Sequence, residues 1–432
     1  LAANGNTMAA GFALIEQSAS QVGNAFAGAS AVANDASTIF FNPAGMTRVP
    51  HQFVVAGHAV ITSAKFDGSG SAPFGIPVAT TGGNGGDAGG TGLVPNLYYT
   101  VPLNQDTVFG LGVGVPFGLS TEYDNDWVGR YHAVKSEVTT VNINPSIAYK
   151  VNEQFSVGAG FSAQYIYAKL TQQVDYGGAC VAQEAIAVFP PGTCAAFSLA
   201  PQADDGLAKV RGNDWSLGFN FGLLLQATDA TRVGFAYRSK IKHQLRGRAS
   251  FNGAPALFTG LGQFLPANIE AGIDLPKTLS LSIYHDISSK WSVMADATWT
   301  GWETFDQLTI KDSDNGATIS NTDESWNNNV RYSLGVDYRP NSKWVLRGGL
   351  AYDETPIPSA DHRTPRIPGE DRIWVSAGFG YRMSEAFTID AGYAHLFVDD
   401  PELSNASLNA GTLSGEYDAA VDIISVQLVW NI

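Results

Sequence analysis

Seven histidines, two cysteines and a thin scatter of arginines and lysines are the residues able to do chemistry in this 432-residue chain. His51, His58, His132, His243, His285, His362 and His395 each stand apart from the serine-plus-carboxylate grouping that activates a nucleophile. A lipid hydrolase is therefore disfavoured, and no catalytic residue is assigned. Cys180 and Cys194 lie in a Gly/Pro/Ala-rich stretch, 175–206. The context suggests a disulfide stapling a loop in an oxidising compartment, against the alternative of two separate thiols. With no histidine nearby they make no metal site, and no cofactor is expected. Gly110, Gly112 and Gly114 in Phe109–Gly118 look superficially like a phosphate loop, but no helix follows them.

Composition narrows the elements that must position these residues. Charged residues make up 15% of the chain, against about 25% in soluble proteins. Yet no run approaches the ~18 apolar residues of a membrane helix, and mean hydropathy is only −0.03. Soluble globule and helical bundle are both disfavoured, which leaves strands that meet lipid. The net charge of −15 argues against nucleic acid as a partner. Leu1 opens no basic and apolar leader, so the expectation is of a chain whose signal peptide has been removed.

Alternation with period two is the strongest pattern. Trp291, Val293, Ala295, Ala297 and Trp299 alternate with Ser292, Asp296, Thr298 and Thr300, and Ile424, Val426, Leu428 and Trp430 alternate with Ser425 and Gln427. One face meets an apolar medium and the other is polar. Fourteen such segments are predicted between 51–66 and 418–432, joined alternately by tight turns and by long links at 67–91, 117–137, 174–207, 248–273, 308–325, 357–370 and 400–417. Loops sorted by side are the mark of an outer-membrane barrel. Tyr149, Trp215, Trp291, Trp344, Tyr381 and Trp430 fall near strand ends, where aromatic girdles form. Residues 1–50 do not alternate and carry few charges. They are expected to fill the lumen, with Asp35 capping a brief helix over 38–41 that stops before Pro43. The predicted fold is all-β: a 14-stranded antiparallel transmembrane β-barrel, 51–432, with an N-terminal, partly helical hatch, 1–50, inside it.

Several motifs resemble the FadL-type long-chain fatty-acid outer-membrane transporter family. They are Gly11-Phe-Ala-Leu14 with Asn42-Pro43-Ala44, Pro116–Tyr123 with Trp127–Tyr131, Leu275-Pro276, Trp299-Thr-Gly-Trp302, Asp353–Pro358 with Arg363, and Ile367–Gly378. The ending Val429-Trp430-Asn431-Ile432 departs from the terminal aromatic residue usual in that family. The resemblance implies passive, ATP-independent uptake of long-chain fatty acids or similar hydrophobic molecules across the bacterial outer membrane, by a monomer set among lipid and lipopolysaccharide. Uptake of aromatic or alkane hydrocarbons by the same route is the alternative.

The implied route has three parts. Cargo is captured in a groove between the third and fourth long loops, where Phe189 and Phe197 face Leu257, Phe258, Leu261, Phe264 and Leu265, with Leu257, Leu261, Phe264 and Leu265 at helical spacing. It passes to a lumenal pocket beside the hatch residues Phe12 and Leu14, lined by Ile166, Ala168 and Leu170 with Arg238 or Arg331 for a carboxylate. Residues 1–5 are expected to close that pocket. Of the other basic residues with lumenal parity, Arg232, Lys240, Arg347 and Arg372 are expected to pair with inward aspartates. Cargo then leaves sideways where Gly110, Gly112, Gly114, Pro116, Phe117 and Gly118 weaken the third strand, although the glycines also make room for hatch side chains.

Overall fold

The computed structural model describes residues 11–432, so the expectation for residues 1–5 falls outside the described residues. The alternating segments form β1 (Gln52–Gly70), β2 (Gly90–Pro102), β3 (Thr107–Gly114), β4 (Lys135–Lys150), β5 (Phe155–Asp175), β6 (Asp205–Thr228) and β7 (Thr231–Arg238). They continue as β8 (Thr278–Asp286), β9 (Trp291–Thr300), β10 (Asn329–Tyr338), β11 (Trp344–Asp353), β12 (Arg372–Arg382), β13 (Phe387–Val398) and β14 (Gly411–Asn431). Each pairs antiparallel with the next, and β14 pairs with β1 from Gln52↔Asn431 to Gly70↔Leu413, closing a 14-stranded barrel. Leu217, Phe219, Leu281, Leu334 and Val426 are exposed on the outward parity, where lipid replaces water. At the tight-turn end Trp291 stacks near Tyr338 and Trp344 near Tyr381, with ring centroids 4.4 and 4.6 Å apart, forming one aromatic girdle.

Several long links carry more strand than expected. Ile241–Phe251 and Ala267–Leu275 extend the wall on either side of the fourth loop, Gln307–Asp312 pairs with Thr318–Asp323, and Glu402–Ser407 pairs with β14. Beyond the bilayer both strand faces meet water, so the apolar alternation that marks a strand disappears there.

The described part of the N-terminal segment lies inside the barrel. Its turns, Ala19–Val22, Ala29–Val32, Thr38–Phe41 and Pro43–Arg48, are short because small residues press backbone against wall. A Cβ on Gly23 would sit 2.9 Å from the Gly378 Cα, and one on Gly392 would sit 2.7 Å from the Ala19 carbonyl. The helix at 38–41 forms, but Ser37 occupies its cap position. Asp35 instead accepts the Ser37 N–H at 2.8 Å and the Gln427 amide at 2.9 Å, which ties the segment to β14. Asn42 accepts the Ala44 N–H and donates to the carbonyls of Ser30 and, on β6, Leu223. The Asn-Pro-Ala motif is thus a cap and a wall anchor at once.

Candidate functional site

The barrel wall is interrupted beside β3. Cα pairing of β3 with β4 ends at Gly114↔Asn142 and resumes at Gly118↔Thr139, so residues 115–117 stand against only two partners, 140 and 141. This is a one-residue bulge at Pro116, a residue with no N–H to offer. On the other side β2 pairs with β3 only over Leu97–Pro102, and Gly90–Asn96 has no ladder partner on that edge. The freed backbone is satisfied from inside. Leu14 N–H donates to the Pro116 carbonyl at 2.8 Å, Gly118 N–H to the Phe12 carbonyl at 2.9 Å, and the Gln17 amide to the Val115 carbonyl at 2.9 Å. In a bilayer, irregular backbone survives only when protein satisfies it in this way. The strand glycines face inward as expected, against the N-terminal segment. Cβ atoms on Gly110, Gly112 and Gly114 would meet Met46, Ile39 and Gln17 respectively.

Two apolar cavities stand out along the barrel interior among the described residues. The inner one has about 1080 Å³ of empty space, part of it open to solvent, bounded by Leu14, Phe41, Pro116, Phe117, Trp302 and Trp374, with Arg238 and Arg331. The outer one, about 720 Å³, is lined by Phe12, Ala168, Leu170, Leu245, Ile273 and Phe305, with Glu324 and Arg366. This corrects the single lumenal pocket read from sequence. Ala168 and Leu170 belong to the outer cavity and the two arginines to the inner one, while Ile166 is fully buried in the cluster that contains Phe12. The divider is aromatic. The Phe12 ring has Trp302, Phe305, Phe117 and Trp326 around it at centroid distances of 5.0, 5.6, 6.0 and 6.0 Å. Gly11, at φ +65°, permits this turn, since a Cβ there would lie 2.5 Å from the Trp326 ring.

The basic residues sort by partner. Arg347 pairs with Asp390 at 2.8 Å and Arg372 with Asp353 at 2.6 Å, as expected for inward aspartates. Lys240 corrects that expectation: it pairs at 2.8 Å with Asp274, and both lie on the outward parity, alternating with buried Ile241 and Ile273. Arg232 instead donates to the Val32 carbonyl and lies over the Tyr284 ring. Arg331 donates to the Ala25 carbonyl and leaves Nε and Nη1 without a hydrogen-bond partner among the described residues, but Asp353, Asp296 and Glu16 surround it electrostatically. Arg238 differs, since its guanidinium lies 4.2 Å over the Phe40 ring, donates to the Phe40 carbonyl at 2.8 Å, and has no carboxylate in salt-bridge range among the described residues. It is the less compensated of the two cations lining the inner cavity.

The loop residues divide. Phe258 is fully buried, with Phe264 at 5.3 Å and Phe189 at 6.0 Å, and Leu257 packs on the same cluster beside the Cys180–Cys194 disulfide. With Tyr176 and Leu199 they join the third and fourth loops; the third carries helices at Tyr176–Ala185 and Thr193–Ala196, and in the fourth only Ala256–Thr259 is helical. Phe197, Leu261 and Leu265 remain exposed, with Ile186 and Val188 beside them. Sequence reading missed Phe305, Trp326, Glu324 and Arg366, which sit in irregular segments without periodicity. Burial pushes the Glu324 carboxyl up to about 8, while its carboxylate accepts the Trp326 indole N–H at 3.1 Å.

A family profile described as "Outer membrane protein transport protein (OMPP1/FadL/TodX)" matches residues 1–431. A long-chain fatty acid transport protein of Escherichia coli O6:H1 is 32% identical over 395 residues, covering 90% of this chain and 86% of that one. The crystal structure of a Pseudomonas aeruginosa FadL homologue superposes with a TM-score of 0.87 at 28% identity, covering 98% of this chain and 99% of that one. The Pseudomonas putida toluene transporter TodX shares the fold, with a TM-score of 0.67 at 19% identity over 92% and 94% of the two chains.

Proposed function

Since the chain belongs to the OMPP1/FadL/TodX family of outer-membrane transport proteins, we propose that it takes up long-chain fatty acids passively and releases them sideways through the wall beside β3. The observation that carries this reading is the continuity from apolar cavity to wall break, because Pro116 and Phe117 line the inner cavity and form the bulge. Exposed Phe197, Leu261 and Leu265 collect cargo from the outside. The outer cavity holds it, Phe12 yields, and the acyl chain enters the inner cavity, where Arg238 meets the carboxylate. The hatch, 1–50, couples to the exit: the strand-like bonds of Phe12 and Leu14 to Gly118 and Pro116 must loosen for the gap to clear.

The test is binding of oleate and of methyl oleate to the purified full chain and to Arg238→Gln. A charge-assisted hydrogen bond contributes about 1.5–3 kcal/mol, so oleate affinity falls roughly 10- to 100-fold and methyl oleate affinity stays the same. Equal loss for both ligands, or none, refutes carboxylate recognition. Tight binding of toluene or an alkane with no preference for oleate instead establishes hydrocarbon cargo.

A further inference from the structure

A cluster of cations on the outside of the barrel has no role in this route. Lys169 on β5 is the Cα partner of Arg211 on β6, and Arg211 is the Cα partner of Arg248 on Ile241–Phe251. Lys209 lies two residues farther out on β6, and Arg246 lies two residues inward of Arg248, opposite Asn213. All share the outward parity of Trp215, Leu217 and Phe219. Like charges directly opposed across strands are destabilising, and here three stand in a row. Glu137 is the register partner of Lys169, and Glu270 of Arg246. Even so, among the described residues none of the five cations forms an ion pair.

The height of the row is informative. The exposed apolar band on β6 ends at Trp215, whose ring lies 5.4 Å from that of Tyr165 in the girdle position. Arg211 is four residues farther along, roughly 13 Å of strand or about 10 Å of height for a strand tilted near 40°. That is the headgroup layer of the outer leaflet. The distribution is one-sided. At the outer ends of β11–β14 the same parity carries Glu354, Asp371, Asp399, Glu416 and Asp418, in a chain whose net charge is −15. Three of the five cations are arginines, whose planar fork suits phosphate oxygens.

We propose that Lys169, Lys209, Arg211, Arg246 and Arg248 form a binding site for the phosphorylated glycolipid of the outer leaflet, its phosphates on the cations and its acyl chains on Trp215, Leu217 and Phe219. The full chain, purified in mild detergent, is titrated with deep-rough lipopolysaccharide, with the same lipid after phosphate removal, and with inorganic phosphate. The wild type is expected to bind the phosphorylated lipid at least tenfold more tightly than the dephosphorylated one, with millimolar phosphate competing only weakly. The triple variant Arg211→Gln, Arg246→Gln, Arg248→Gln loses at least tenfold, whereas Lys replacements at the same three positions keep most of the affinity. Oleate binding is unchanged in both, which shows that the barrel is folded. Equal affinity of wild type and Gln variant, no preference for the phosphorylated lipid, or full displacement by inorganic phosphate overturns the site.

Discussion

Replacing Phe12 by alanine removes the divider between the two cavities and tests whether it is the barrier to transfer. The ring is fully buried and has four aromatic neighbours at 5.0 to 6.0 Å. Each such pair is worth about 0.5–1.5 kcal/mol beyond area burial, so swinging the ring aside for a passing acyl chain costs about 2–6 kcal/mol. Taking about 3 kcal/mol as the share removed with the ring, transfer between cavities speeds up roughly 100-fold, at about 1.4 kcal/mol per decade. The same truncation weakens docking of the N-terminal segment by about 3–5 kcal/mol, without touching the strand ladder. The assay is stopped-flow delivery of a fluorescent fatty acid to proteoliposomes holding wild type, Phe12→Ala or Phe12→Leu, with equilibrium binding measured in parallel. The expected order of rates is alanine, then leucine, then wild type, until lateral release becomes limiting. An alanine variant that binds normally and delivers at the wild-type rate, or more slowly, refutes the barrier role.

Two further outcomes follow from the same geometry. Deleting Pro116 removes the bulge and restores one register from Thr107 to Glu122; oleate uptake by cells is expected to stop while binding to the purified protein persists, and undiminished uptake would locate the exit elsewhere. Glu324, lifted to about 8 by burial with a smaller push from Asp323 and against the pull of Arg366, stays neutral at lower pH and contributes stability that is full below about pH 4.5 and lost as pH rises through about 8. Cargo capture should therefore weaken roughly tenfold, about 1.4 kcal/mol, across that upper limit, and Glu324→Gln should flatten the profile in a pH-resolved binding titration.

Strand parity was legible because a half-lipid, half-lumen environment imposes period two on every crossing, as at Trp291–Thr300. The weakened third strand was legible too, since three glycines and Pro116 break a local rule within one segment. What stayed hidden depends on registers and contacts between distant residues. Phe12 meets Trp302 and Trp326 across some 300 positions of sequence, so nothing near either aromatic announced a divided interior. Lys169, Lys209-Val-Arg211 and Arg246-Gly-Arg248 are far apart in sequence and become a row only through strand pairing. Phe258 read as exposed loop, because a loop that packs on its neighbour has the composition of one that waits for a ligand.

The bulge at Pro116 also has a meaning in genetic terms. A closed barrel fixes the position of every strand against two neighbours, so a bulge in its wall is a difference in residue count between one strand and its partner. Here the difference is a single residue, 115–117 against 140 and 141. On the proposed route the register difference is one codon deep: a three-nucleotide deletion at Pro116 removes it and leaves the rest of the reading frame and the barrel's closure intact.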